Sequence, residues 1–204
     1  MVSYKWLPIY ITPLMVQRTV EAIIEGEGNI PKSPSWVRYE SISPHMVMAV
    51  IAAEDQKFPE HGGFDWEAIE TARREITTGR RFRGGSTITN QTAKNVFLFP
   101  VRNIARKVVE AYFSLGIEWI WGKKRIMEVY LNVIEMGDGI YGIDAASREY
   151  YAKAASELTK AESAMIAAIL PNPRRWDPNS PTAYLRGRQA WILRNMQQLG
   201  EIEL

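Results

Sequence analysis

The sequence predicts a mainly α-helical domain, and three observations predict it. Apolar residues recur at spacings of three and four along most of the chain, the spacing that lines one face of a helix. Segments with that spacing open at Ser, Thr or Asp and close at glycine or before proline, the residues that cap and stop helices. No convincing pair of alternating runs joined by a tight turn is present, so no sheet is expected.

Taken in order, Thr12 and Pro13 supply an N-cap and a first-turn proline for a helix running to about Ile24, stopped by Gly26 and Gly28. Residues 26–43 read as a loop with a short extended piece at Trp36 to Tyr39. Ser43 and Pro44 open the next helix, an apolar run from Met46 to Ala53 that leaves the core at Glu54 and Asp55. A compact turn follows, and Asp65 caps a helix from Trp66 to Thr78. Gly79 to Gly85 form a basic, glycine-containing loop that runs into Ser86 to Asn95, a polar segment able to cap and start a helix. One long helix is expected from about Val101 to Trp121, with Ile104, Val108, Ala111, Tyr112 and Leu115 as its apolar stripe. Trp119 and Trp121 read as packing residues. Gly122 breaks the pattern, and Lys123 to Asn132 forms another helix. Gly137 to Gly142 is a turn and Ile143 to Tyr151 a short helix. Thr159 to Glu162 is a capping box for an alanine-rich, buried helix that Pro171 ends. A proline-rich loop leads to a last amphipathic helix, Thr182 to Leu199, closed by Gly200.

At 204 residues, 46% hydrophobic and 24% charged, the chain fits one globular domain with a substantial core. The absence of cysteine excludes disulfides and thiolate metal sites. His45 and His61 have no partner at ligand spacing, so no protein metal site is expected. Net charge of +2 names no partner by itself. The N-terminal run Trp6 to Val16 is apolar but broken by Pro8 and Pro13, and is about half of the roughly 20 residues a membrane span needs.

Three features can be assembled into one site. Glu54 and Glu110 are carboxylates far apart in sequence, each at a helix position next to core. Burial and a helix C-terminus both disfavour the charge of Glu54, which suits a general base. The segment Gly84 to Gln91 offers backbone amides and hydroxyls to an oxygen-rich ligand. Lys94, Arg102 and Arg106 form a cation set suited to phosphate. Two carboxylates at a sugar bond are the glycosidase arrangement, and added cations instead favour departure of a pyrophosphate. One base with a cationic clamp is sufficient chemistry for glycosyl transfer from a sugar diphosphate. Blander readings exist: Arg102, Arg106 and Glu110 as an i,i+4 salt-bridge ladder, and Gly84 to Thr87 as an ordinary capping loop. The basic clusters would also fit a nucleic-acid surface, but the interleaved aromatics fall mostly on core-facing positions, so no nucleic acid is expected.

The chain also resembles a known family. Ala53 to Phe58 with His61 to Asp65 resembles the first motif of the family 51 peptidoglycan glycosyltransferases, and Gly84 to Gln91 with Lys94-Asn95 the second. Arg106 to Glu110, Arg125 to Asn132, and Gly142 to Ala146 with Tyr150-Tyr151 are similar to the third, fourth and fifth. The match runs in order from about Thr12 to Gly200. No penicillin-binding transpeptidase region follows, so a monofunctional biosynthetic peptidoglycan transglycosylase is expected.

The resemblance implies a lysozyme-like helical fold with a larger lobe and a smaller, membrane-facing jaw. It implies polymerisation of lipid II into glycan strands at the periplasmic face of the bacterial inner membrane, by inverting transfer with release of undecaprenyl pyrophosphate. Glu54 would be the base and Glu110 the second carboxylate, while Ser86, Asn90, Gln91, Lys94, Arg102 and Arg106 would contact the donor. Asn90 stands where the family usually has the longer glutamine. A divalent cation such as Mg²⁺ would be bound through the pyrophosphate, not by a protein cage. Implied partners are lipid II, the growing glycan strand, the membrane surface and other cell-wall synthesis proteins. Residues 1–30 are expected to hold the remnant of an anchor and the first helix, and 31–204 the glycosyltransferase domain. Membrane contact is expected at Phe97-Leu98-Phe99, as exposed residues, and along Trp6 to Met15.

Overall fold

The computed structural model describes residues 1–26, 35–77, 86–100 and 103–204, which are mostly helical. The first helix, α1 (Pro13–Glu25), begins where the Thr12 hydroxyl accepts the Met15 amide, 3.3 Å away, and ends at Gly26 in the left-handed region. The second, α2 (Pro44–Glu54), is apolar on every face and central to the molecule. Ser43 stands at its N-cap position without capping it. Its hydroxyl donates instead to the carbonyl of Leu158 at 2.7 Å, tying the helix start to a distant turn.

Then come α3 (Trp66–Thr77), α4 (Ile88–Phe97) and α5 (Ile104–Trp121). Thr87 caps α4 by accepting the Asn90 amide, and Asn103 caps α5 by accepting the Arg106 amide. Gly122, at φ 77°, turns the chain into α6 (Lys123–Val133). Next is a feature the sequence reading did not expect, a small antiparallel hairpin of β1 (Glu135–Gly137) and β2 (Ile140–Tyr141). Asp138-Gly139 is the Asp-Gly pair that favours a two-residue hairpin turn, with Gly139 at φ 72°. The strands are too short to show alternation, which is why periodicity missed them.

After the hairpin, α7 (Ile143–Tyr151) starts at Gly142, where φ is 80° and a Cβ would lie 2.6 Å from the Asn132 carbonyl oxygen. Only glycine fits that junction. The capping box expected at Thr159 and Glu162 heads α8 (Lys160–Ile169), and α9 (Ala183–Leu199) ends at Gly200. Ala49 and Ala52 of α2 pack with Ala164, Ala167 and Ala168 of α8 and with Leu185, Ile192 and Met196 of α9. Small side chains let these three helices form one tight body. The larger core cluster joins α2, α4, α5 and α6 through Met46, Val50, Ile88, Ile117, Ile126 and Tyr130.

The N-terminal residues dock on that body. Trp121 Nε1 donates to the Met1 carbonyl at 3.0 Å, Arg125 donates to the Tyr4 carbonyl at 2.8 Å, and Ile9 is buried in the main cluster. Trp121 is thus a packing residue as expected, whereas Trp119 is 92% exposed.

The largest correction concerns α5. The stripe expected to face the core faces outward: Ile104, Val108, Tyr112 and Leu115 are all exposed, Ile104 to 85%. The buried face is instead Glu110, Ser114, Ile117 and Trp121, on a different line of the same helix. Of the expected apolar trio, Phe99 is 58% exposed, but Phe97 belongs to α4 and stacks on Phe113 with ring centroids 4.5 Å apart. Phe97 is a half-buried packing residue, not a free membrane contact. Among the described residues, no helix is long and apolar enough to cross a membrane.

Candidate active site

Glu54 is the last residue of α2 and opens on a cleft of about 720 Å³. Ala53, Glu54, Ser86 and Gln91 line one wall, and Pro171, Tyr184, Arg188 and Trp191 the other. The Glu54 side chain is largely buried. Gln91 Nε2 donates to its Oε2 at 3.1 Å, and Arg188 Nη2 lies 3.4 Å from its Oε1. Burial raises its pKa above the usual carboxylate range; the Gln91 hydrogen bond, Arg188 and Lys94 oppose this, and Asp55 adds to it. A partly desolvated carboxylate with donors on both oxygens suits proton abstraction near neutral pH.

Asp55 has a different task. His61 Nε2 reaches both its carboxylate oxygens at 3.0 Å, and its Oδ2 accepts the Ile88 amide at 2.9 Å. Because His61 Nδ1 accepts the Gly63 amide at 3.1 Å, the ring proton is on Nε2 and points at Asp55. Asp55 and His61 therefore clasp the 55–65 turn to the N-terminus of α4. The sequence reading placed Asp55 only where the helix leaves the core and gave His61 no role; the structure pairs the two and makes Asp55 a structural acid.

Glu110, on the buried face of α5, is 3% exposed. Arg106 Nη1 donates to it at 2.9 Å, and Lys107 Nζ donates to its other oxygen. This is not a surface ladder, because an exposed i,i+4 pair would leave the carboxylate in water. Lys94 of α4 is half-buried and feels the charges of both Glu110 and Glu54. Burial holds its pKa below the usual lysine value, with Glu110 pulling the other way. Among the described residues, Lys94 is thus a cation that interacts with both acids.

Ser86 is exposed at the cleft and Gln91 bonds Glu54 directly. Asn90 is different: it is 5% exposed, and its amide donates to the Gly63 carbonyl at 3.2 Å and to Ser114 Oγ at 2.9 Å. The structure uses Asn90 as a brace between the turn, α4 and α5. Arg102, Gly84 and Gly85 lie outside the described residues. The stretch Arg125 to Asn132 is also a brace. Glu128 accepts Trp36 Nε1 at 3.2 Å and the Tyr39 amide at 2.9 Å, while Asn132 pairs with both backbone groups of Val37 at 2.8 Å.

Sequence reasoning missed Arg188 and Tyr130. A signal for Arg188 was present: Leu185, Ile192 and Met196 are the buried residues of α9, and position 188 falls on that line. A charged residue on a core-facing stripe has to be partnered.

A helical domain whose cleft holds one buried carboxylate, with a second carboxylate and several cations beside it, defines a glycosyl-handling enzyme. A family model described as Transglycosylase matches residues 21–197. The biosynthetic peptidoglycan transglycosylase of Escherichia coli strain K12 is 52% identical over 194 residues, covering 95% of this chain and 80% of that protein. The protein of the same name from Shigella boydii serotype 4 (strain Sb227) matches with the same values. The chain belongs to the transglycosylase family.

Proposed function

We propose that the protein is a peptidoglycan glycosyltransferase that polymerises lipid II into glycan strands for the cell wall. The observation that carries this reading is the pairing of a buried, proton-accepting Glu54 with the cationic neighbourhood of Lys94, Arg106 and Lys107 around Glu110. Glu54 takes the proton from the acceptor sugar's 4-hydroxyl as that oxygen forms a bond to the donor's anomeric carbon. The bond from that carbon to the pyrophosphate oxygen breaks, with inversion, and undecaprenyl pyrophosphate leaves. Lys94, with Arg102 and Arg106, meets the departing charge. Glu110 keeps Arg106 and Lys107 in place and balances their charge. A divalent cation such as Mg²⁺ would arrive on the pyrophosphate and help to neutralise its charge.

A lytic muramidase on the same fold is the competing enzyme class. A hydrolase needs a protonated acid at the glycosidic oxygen and has no use for phosphate-binding cations. The membrane side of the reading is supported by the outward apolar line Ile104, Val108, Tyr112, Leu115 and Trp119 on α5, the helix that also carries Glu110. A jaw of that kind fits an enzyme working at the periplasmic face of the inner membrane, where a lipid-linked donor is available.

Incubation with lipid II and with finished peptidoglycan separates the two classes. Wild type should lengthen glycan strands, and Glu54→Gln should reduce polymerisation by about 10²–10⁴-fold. Release of soluble muropeptides without polymer growth contradicts the proposal.

A further inference from the structure

Each oxygen of Glu54 faces one donor, and both donors are themselves held. Arg188, from α9, is fixed by its Nε, which donates to the Ala168 carbonyl at 3.1 Å. Its Nη2 is thereby left to face Glu54 Oε1 at 3.4 Å. Gln91 is fixed from below. The hydroxyl of Tyr130, a fully buried residue, donates to Gln91 Oε1 at 3.3 Å. A glutamine amide can present either an acceptor or a donor. With Tyr130 on its oxygen, only its nitrogen remains for Glu54 Oε2, 3.1 Å away. A donor there favours the charged carboxylate, whereas an acceptor would require the carboxyl to keep its proton.

We propose that Arg188 and Tyr130 are positioning residues for the base, holding the Glu54 carboxylate in one orientation and in its charged form. Arg188 acts directly and Tyr130 acts through Gln91. The inference rests on the reading of Glu54 as the base. Neither residue belongs to the groups assigned to the donor.

Among the described residues, the other charged groups acting on Glu54 are Asp55 at the end of its own helix and Lys94 of α4, with Glu110 of α5 acting on Lys94. From α8 the nearby contribution is the Ala168 carbonyl that anchors Arg188. Burial and Asp55 favour the protonated carboxyl, while Gln91, Arg188 and Lys94 favour the charged one. Removing Arg188, or freeing the Gln91 amide by removing the Tyr130 hydroxyl, shifts the balance toward the protonated form. The acid limb of the rate profile then moves to higher pH.

The test is the pH dependence of kcat and KM for lipid II polymerisation in wild type, Arg188→Gln, Arg188→Lys, Tyr130→Phe and Glu54→Gln, with thermal melting of each as a folding control. In Arg188→Gln the acid limb should move up by about 1 pH unit, the low end for loss of an opposite charge at close range. In Tyr130→Phe it should move in the same direction, and KM should stay within about twofold of wild type in both variants. Arg188→Lys, which keeps the charge, should restore most of the limb's position. A limb that stays in place in either Arg188→Gln or Tyr130→Phe overturns the inference, as does a raised KM alone, which would make Arg188 a substrate contact. Should Arg188→Gln fail to fold, Tyr130→Phe decides by itself. An active Glu54→Gln brings down the parent reading, whereas an inactive one with unmoved limbs brings down only this inference.

Discussion

At Glu54, burial pushes the carboxyl up more than Gln91, Arg188 and Lys94 pull it down. Between its unfolded and folded pKa values the native state therefore binds more protons than the unfolded chain. Stability falls as pH rises through that window, and the loss persists above it. Glutamine mimics the protonated form, so Glu54→Gln should melt higher than wild type near neutral pH and equally at about pH 4, below the unfolded pKa. Lower melting of the variant at neutral pH would contradict the assigned direction. Lys94 is the reciprocal case, since burial disfavours its charge as well. Lys94→Ala should lower turnover by about 10²–10³-fold, the usual result of removing one transition-state donor. Its melting temperature should hold or rise, because an ammonium that burial disfavours is not a stabilising group. A readily unfolding variant with normal activity per molecule would favour a purely structural role.

At the level of elements, α4 and α5 show what a single sequence reveals. The starts of α1, α8 and α9 were legible because Thr12, Thr159 and Thr182 each accept an amide three residues on, a local event written in local sequence. Glu54, Gln91 and Glu110 could be named as candidates because each sits in its own short motif. Which side of α5 faces inward was not legible, since two lines on that helix both carry large apolar residues. Burial there is decided by α4 and α6, which no spacing within α5 records. Arg188 reaches Glu54, and Tyr130 reaches Gln91, over long stretches of chain for the same reason. The contrast between Phe97 and Phe99 tests the revised picture. Phe97→Ala should destabilise by about 1–3 kcal/mol, below the ~3–5 kcal/mol of a fully buried ring, because that side chain is only partly buried. Phe99→Ser should stay within about 0.5 kcal/mol. Equal effects in urea titrations would put both rings in one environment, against the structure.

Across the whole molecule, the exposed line Ile104–Val108–Tyr112–Leu115–Trp119 lies on the helix that presents Glu110. Sedimentation with anionic phospholipid vesicles should recover wild type, and Tyr112→Ser/Trp119→Ser should weaken that binding several-fold at unchanged melting temperature. Vesicle binding that ignores the double variant assigns lipid contact to another surface. If lipid binds along that line, the two faces of α5 would also act as a depth gauge. Arg106 and Glu110 are each two positions along from Ile104 and Val108, about 200° around the helix axis, so they emerge on nearly opposite sides. A helix is about 10 Å across with its side chains, against roughly 5–8 Å for one headgroup layer of a bilayer. With the apolar side resting on the acyl boundary, the cationic side comes level with the outer edge of the headgroups. A diphosphate on a lipid stem lies near that height, so on the proposed membrane seating it would slide into the cleft sideways without its tail being lifted out of the bilayer.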